Sequence, residues 1–215
     1  MTTPYGVTES SARNYIRQEL KGVKLEKGEL QMIVKAVYRY GVRQVFNGPC
    51  RSMEFIQKAA GERIKAGATT LEWITPSGFP VVQEYRRNEV ERVNTKLLGQ
   101  RIRVKLLKEW EQRQIDLIKA KTAASPNLIH SLDAALLHLV FANWERPFTV
   151  IHDCVLGRSC DMDAMGSAIR DKFVELYSQP VLQQWAEQLG VDFDESVMLN
   201  TLDINDVQQS SYFFC

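Results

Sequence analysis

The apolar run Phe148-Thr149-Val150-Ile151 leads directly into His152-Asp153-Cys154. That junction constrains the fold more than any other stretch of the chain. Apolar and β-branched residues in succession predict a strand pinned on a core. A carboxylate placed directly after them cannot be buried unpaired, because desolvating it is very costly. The strand must therefore end at the surface, with Asp153 facing water, a cation or a hydrogen-bond cluster. A short turn-like segment with Gly157 follows, and then an acidic helix start at Asp161-Met162-Asp163. A strand that delivers a lone carboxylate to its tip is one way for a fold to present a metal ligand. The same tetrapeptide, taken alone, also fits a solvated turn aspartate.

The remaining periodicities predict a mainly helical α+β chain. Helices are expected over 8–20, 30–46, 51–66, 128–144, 163–178 and 180–189. In the second of these, Met32, Ile33, Ala36, Val37, Tyr40 and Val45 are expected to face inward, and Asn47-Gly48-Pro49 to end it. Two strands, 69–75 and 79–85, are expected to flank the turn Pro76-Ser77-Gly78. Residues 116–124 read as a short helical or loop piece that stops at Ser125-Pro126. The terminal aromatics Tyr212, Phe213 and Phe214 should be tied down, since an exposed aromatic tail invites association.

Charge divides the chain in two. The net charge is +1, but residues 1–125 hold 23 basic and 13 acidic side chains, whereas 126–215 hold 4 and 13. A basic half suits a polyanion such as nucleic acid, and an acidic half suits cations or a basic partner surface. The alternative is that the halves attract one another. The basic density peaks over 86–108, where Arg101-Ile102-Arg103-Val104-Lys105 alternates around Gly99-Gln100. This reads as a basic hairpin. A two-stranded ribbon fits the major groove, where base edges present distinct donors and acceptors. Arg92 and Asn94 are suited to base readout, and Arg101, Arg103 and Lys105 to bases or phosphates. A solvated charged face is the plainer alternative.

Other classes are disfavoured. No apolar run approaches the length of a membrane span. Residues 1–6 lack the basic and apolar regions of a signal peptide, so secretion is not expected. Cys50, Cys154, Cys160 and Cys215 have no metal-type spacing and, with three histidines in the chain, make a poor zinc set. They read as reduced thiols.

Several segments together resemble the bacteriophage-type single-subunit DNA-directed RNA polymerases, C-terminal part. Met1-Thr2-Thr3-Pro4-Tyr5-Gly6 resembles the end of the fingers-helix motif. Residues 73–85, with Thr75-Pro76-Ser77-Gly78-Phe79-Pro80-Val81, resemble the family's Thr-Pro-x-Gly-Phe-Pro-Val strand pair. Arg92, Asn94 and Leu98-Gly99-Gln100 fall where the family carries its promoter-reading hairpin. Pro126-Asn127-Leu128-Ile129-His130-Ser131-Leu132-Asp133 resembles its Pro-Asn-x-x-His-Ser-x-Asp segment, and His152-Asp153-Cys154 its palm motif, usually His-Asp-Ser. The aromatic terminus resembles its C-terminal foot.

The resemblance implies part of a right-hand fold, with fingers over 1–129 and palm over 130–215. It implies that Asp153 is one of two palm carboxylates binding Mg²⁺. Tyr5 and Gly6 would lie beside the incoming ribonucleotide, with Tyr5 in sugar discrimination. His130 would sit at the fingers–palm junction near template and nascent pair. Asp133 would brace that junction. Implied partners are a DNA template and promoter, nascent RNA and ribonucleoside triphosphates, in the cytoplasm of an infected host cell.

The chain also departs from the family. The triphosphate-gripping Lys and Arg, the other palm Asp, the thumb and the promoter-melting region have no match here, and Cys154 replaces Ser. The expectation is that this polypeptide is inactive alone and is completed by a second chain carrying the missing parts. Two other readings remain: a family A DNA polymerase fragment, whose palm motif would read His-Asp-Glu, and a non-catalytic DNA-binding remnant.

Overall fold

The computed structural model describes residues 9–198 and 202–211. The helices α1 (Glu9–Glu19) and α2 (Glu29–Ala36) come first, then a π-helical stretch (Val37–Val42), α3 (Arg43–Val45) and α4 (Asn47–Lys65). Three antiparallel pairs and α5 follow: β1 (Leu71–Ile74) with β2 (Pro80–Gln83), β3 (Val90–Leu97) with β4 (Gln100–Leu107), α5 (Leu117–Phe141), and β5 (Phe148–Ile151) with β6 (Cys154–Gly157). The chain closes with α6 (Met162–Tyr177), α7 (Val181–Leu189) and the short α8 (Asp206–Gln209). The class is the expected one, mainly helical α+β with small antiparallel hairpins. The terminal aromatics lie outside the described residues.

Helix α5 spans two hydrophobic clusters. Its first half supplies Ala124 and Leu128 to a core shared with Phe55, Ile56, Ala59 and Ala60 of α4, Leu71 and Trp73 of β1, and Trp185 and Leu189 of α7. Its second half packs Leu136 and Val140 on Met165, Ile169 and Leu176 of α6. Leu132 touches both clusters. The first core carries β1–β2 and the second carries β5–β6, so α5 fixes the spacing between the two hairpins.

Three expectations are corrected. The helix does not stop at Ser125-Pro126, because α5 runs through Pro126. A proline inside a helix removes a hydrogen bond and costs about 3 kcal/mol, but Ala124, Ser125 and Leu128 beside it are all buried. Packing on both clusters outweighs the local penalty. Asn47-Gly48-Pro49 begins α4 rather than ending a helix. Proline is tolerated there because first-turn N–H groups have no intrahelical partner.

Third, residues 30–46 are not one helix with a single inward face. Met32, Val37, Tyr40 and Val45 are exposed, and Val34 is the buried residue. The π-helical stretch adds residues to the turn and shifts the phase. A face extrapolated at 3.6 residues per turn is then lost for Tyr40 and Val45, while within α2 Met32 and Ala36 each lie two residues, about 200°, from the buried Val34 and so face away from it.

The join between β6 and α6 is tight. A Cβ on Gly157 would lie 2.7 Å from Cε of Met165, a residue that is 1% exposed. Gly157→Ala is therefore expected to lower stability by about 1–2 kcal/mol through overpacking. Urea denaturation reads this as a lower midpoint with an unchanged slope.

Candidate functional site

The β5–β6 hairpin is closed by a two-residue turn. Ile151 pairs with Cys154, so His152 and Asp153 occupy the tip. His152 has φ of 56° and Asp153 stays at negative φ, the sign pattern of a type II′ turn. Both side chains are exposed. The apolar strand does bring a carboxylate to a surface tip, but it is not pinned on a core as expected: Phe148, Thr149, Val150 and Ile151 are all exposed.

The hairpin leans on the end of α5. Phe148 stacks on Phe141 with ring centroids 4.3 Å apart and planes 13° from parallel. A groove of about 410 Å³ opens between the two elements, lined by Leu137, His138, Phe141, Phe148, Val150 and His152. On α5, Asp133 lies one turn and His130 two turns before Leu137, with His130 exposed. Burial pushes the Asp133 carboxyl above its ordinary range; the His130 charge opposes this and the Asp153 charge adds to it. The Asp153 charge thus acts on Asp133 of α5. Among the described residues, no cluster of three or more His, Cys, Asp or Glu forms a ready metal cage. Asp153 is suited to be one ligand of a shared site, since Mg²⁺ takes one or two carboxylates and completes its shell with water and substrate phosphates.

The β1–β2 hairpin docks on α5 itself. Trp73 Nε1 donates to Ser131 Oγ at 3.1 Å. Asn127 Nδ2 donates to Gln83 Oε1 at 2.8 Å and to the Tyr85 hydroxyl at 3.2 Å. The Thr75–Phe79 turn is held by its own threonine, whose Oγ1 accepts from Phe79 N at 3.0 Å. Ser77 Oγ then lies 3.2 Å from Nδ1 of His138. Sequence reasoning gave His138 no role. Its eight-residue offset from His130, two helical turns, was the available signal.

The base of the β5–β6 hairpin holds a buried charge that sequence reasoning also passed over. Asp161 is 4% exposed and accepts from Arg146 Nη1 at 2.9 Å and from Arg158 Nε at 2.7 Å. The hydrogen bond from Arg158 is the largest cause holding this carboxyl below the usual aspartate range. A lowered carboxylate stabilises the fold above its unfolded pKa, and that contribution is lost as pH falls through the lowered folded value.

The second candidate surface is the β3–β4 ribbon. Its register pairs Arg92 with Lys105, Asn94 with Arg103 and Lys96 with Arg101. Directly opposed residues share a face, so Arg92, Asn94, Arg101, Arg103 and Lys105 all lie on one side. Lys96 joins them and was not among the expected contacts. All six are exposed. Arg103 Nε donates to Asn94 Oδ1 at 3.1 Å, which orients both ends of that pair. The other face carries Val93, Thr95, Leu97, Ile102, Val104 and Leu106.

The ribbon ends at Leu98-Gly99, with φ of 47° and 79°. Positive φ at both positions is the type I′ signature, and Leu98 adopts it although it is 97% exposed. At its base, Lys108 Nζ bonds Glu89 Oε2 at 2.8 Å and Arg86 reaches the Arg113 carbonyl at 2.9 Å. Eight-residue strands project about 25 Å. Tyr5 and Gly6, the expected nucleotide contacts, lie outside the described residues.

Comparison with known proteins covers the whole arrangement. The family model described as DNA-dependent RNA polymerase matches residues 1–211. The chain is 32% identical over 226 residues to DNA-directed RNA polymerase 2, chloroplastic/mitochondrial, of Arabidopsis thaliana, with all of this chain and 22% of that protein covered. It is 29% identical over 239 residues to DNA-directed RNA polymerase 1, mitochondrial, of the same plant, again covering all of this chain and 22% of the relative. DNA-directed RNA polymerase 2A of Nicotiana tabacum is 27% identical over 239 residues, with all of this chain and 66% of that protein covered. The chain thus spans about a fifth of the length of the two Arabidopsis relatives.

Proposed function

The chain belongs to the phage-type single-subunit DNA-dependent RNA polymerase family, and from that premise we propose that it forms the C-terminal part of such an enzyme, with Asp153 as a catalytic metal ligand. The reaction is addition of ribonucleotides to an RNA 3′ end on a DNA template. The observation that carries this reading is the β5–β6 tip, which presents an exposed carboxylate whose charge acts on Asp133 of α5. A bound Mg²⁺ pair would supply in-line stabilisation of the attacking and leaving oxygens.

The chain's own residues do the rest. Asp153 offers hard oxygen donors at the tip. His130 contacts the nascent pair and template, and Asp133 braces the same turn of α5. Tyr5 and Gly6 lie beside the incoming ribonucleotide. In this reading residues 1–129 are the fingers portion and 130–215 the palm, joined through the unbroken helix α5. The second palm carboxylate, the triphosphate-gripping cations and the thumb come from polypeptide outside these 215 residues, and this chain does not polymerise without them.

The β3–β4 ribbon reads the promoter. Its basic face grips phosphates, and Arg92 and Asn94 contact bases. Alanine at either position is expected to weaken preference for the cognate promoter about tenfold or more, since a good bidentate base contact contributes about 1–3 kcal/mol of discrimination. Extension from a preformed primer should be unchanged. Promoter-competition transcription beside a primer-extension control measures both. Unaltered promoter choice would remove the ribbon's assigned role.

Extension of an RNA primer on a DNA template by the polymerase that contains this chain, with ribo- or deoxyribonucleoside triphosphates supplied separately, tests the function. Ribonucleotide incorporation supports it, while a preference for deoxyribonucleotides indicates a family A DNA polymerase. A non-catalytic DNA-binding module is the second reading. The ribbon favours it, because that face needs no metal to hold DNA; binding with steep salt dependence and no extension even when the missing parts are supplied would be its mark. Among the described residues no helix is long and apolar enough to cross a membrane. The phage-type reading puts the protein in the cytoplasm of an infected cell. The chloroplast and mitochondrial names of the relatives favour an organelle instead, and detecting the chain in purified organelles would decide for it.

A further inference from the structure

A two-stranded hairpin is marginal by itself, and β5–β6 buries little: every residue in it is exposed except the half-buried Val155. Its tip must nonetheless hold a carboxylate in a fixed place if it is to serve a metal, since catalytic groups are effective only within a fraction of an ångström of their productive geometry. The restraint lies at the base. Arg146 stands two residues before β5, Arg158 directly follows β6, and both guanidiniums converge on Asp161, the last residue before α6. Only four basic residues occur after position 125, namely Arg146, Arg158, Arg170 and Lys172. Two of the four are committed to this one carboxylate.

We propose that Asp161 is a positioning residue for Asp153: its buried carboxylate ties the segment entering the hairpin and the segment leaving it to the start of α6, and so fixes where the tip sits. The Arg158 contact is local, three residues away in sequence. The Arg146 contact is not; it closes the loop that contains the whole hairpin. Arg146 is itself braced, with its guanidinium carbon 5.6 Å from the centroid of the Trp144 ring. Trp144 packs edge-on against Phe141, and Phe141 stacks on Phe148. Charge pairing and ring stacking therefore hold the two sides of the hairpin base to α6 and α5. Loss of Asp161 would leave two guanidiniums facing each other with no anion between them.

The clamp itself stands on geometry, while its link to metal rests on the proposed role of Asp153, and the two are tested separately. Hydrogen exchange on the full chain reads the clamp. Asp161→Asn is expected to speed exchange of the 148–157 amides about tenfold or more while α5 and α7 keep their protection. Asp161→Glu, which retains the anion, should recover part of it. Arg146→Gln, which cuts only the long-range contact, should loosen the same amides with α6 intact. Unchanged exchange at 148–157 in Asp161→Asn overturns the proposal. So does protection lost throughout Asp161→Asn while Arg146→Gln leaves the hairpin protected, since Asp161 would then be a general stabiliser.

The second readout is the Mg²⁺ concentration for half-maximal primer extension by the polymerase containing this chain. Asp161→Asn should raise it about tenfold, the scale of lost support behind a metal ligand, with DNA affinity unchanged. A loosened hairpin with an unshifted Mg²⁺ requirement keeps the clamp and overturns the placement of the metal at Asp153.

Discussion

Asp153→Ala in the polymerase that contains this chain is expected to cut primer extension about a thousandfold or more while leaving DNA binding unchanged. The magnitude follows from what the residue is asked to do. Metal-based stabilisation of transition-state charge is of the order of several kcal/mol, and each 1.36 kcal/mol is tenfold in rate. The specificity of the expected effect follows from exposure. Asp153 sits at the surface tip of β5–β6 and holds up no core, so its removal should leave the thermal midpoint nearly in place. The DNA-gripping ribbon is a separate hairpin, β3–β4. Extension rates on a primed template, with filter-binding titrations alongside, measure the two properties. Extension that survives within about threefold would mean that Asp153 is a solvated turn residue.

Trp73→Ala is expected to have the largest effect on stability, about 3–5 kcal/mol, the usual range for removing a buried Trp or Phe side chain. Trp73 is 4% exposed and meets Trp185 of α7 edge-on, with ring centroids 6.4 Å apart. Its Nε1 also donates to Ser131 on α5. One side chain therefore joins β1, α5 and α7, and the alanine variant leaves a cavity where three elements meet. The Thr75–Phe79 turn lies two residues beyond it and should loosen with it. Urea unfolding, monitored by far-ultraviolet circular dichroism, reads the loss as a lower midpoint. A loss below about 1 kcal/mol would show that α4, α5 and α7 hold that core without the indole.

Much of this was legible in the sequence because the features were local. The run from Phe148 to Ile151, followed by His152-Asp153, predicts a strand and an exposed tip, and the structure has both. The alternation of Arg101, Arg103 and Lys105 predicts one basic face, and pairing with β3 adds Arg92 and Asn94 to it. Lys96 obeys the same alternation but precedes the turn, so only the register reveals it. The errors arose where tertiary packing overrides a local rule. Pro126 looks like a helix stop, yet two hydrophobic clusters hold α5 together across it. The inward face expected from Met32 to Val45 fails because α2 turns Val34 rather than Met32 inward, and the π-helical stretch then resets the phase.

The Asp161 clamp was invisible for a different reason. Arg146 and Asp161 are fifteen residues apart, and nothing in composition or spacing pairs them. They meet only because the hairpin folds back between them. The resemblance of the Thr75–Val81 and Pro126–Asp133 segments to one family was readable at once. Their mutual docking, through Trp73–Ser131 and Gln83–Asn127, came only with the fold.

The central claim, that the β5–β6 tip holds a catalytic metal in an RNA polymerase, is tested most directly by metal-localised cleavage. Fe²⁺ replaces Mg²⁺ in the polymerase bound to a primed template and a ribonucleoside triphosphate, and peroxide then generates hydroxyl radicals at the metal. The account predicts backbone cuts clustered around residues 151–155, suppressed by excess Mg²⁺ and lost in Asp153→Ala. Cuts confined to other parts of the chain, or a cluster at 151–155 that persists in Asp153→Ala, would contradict it.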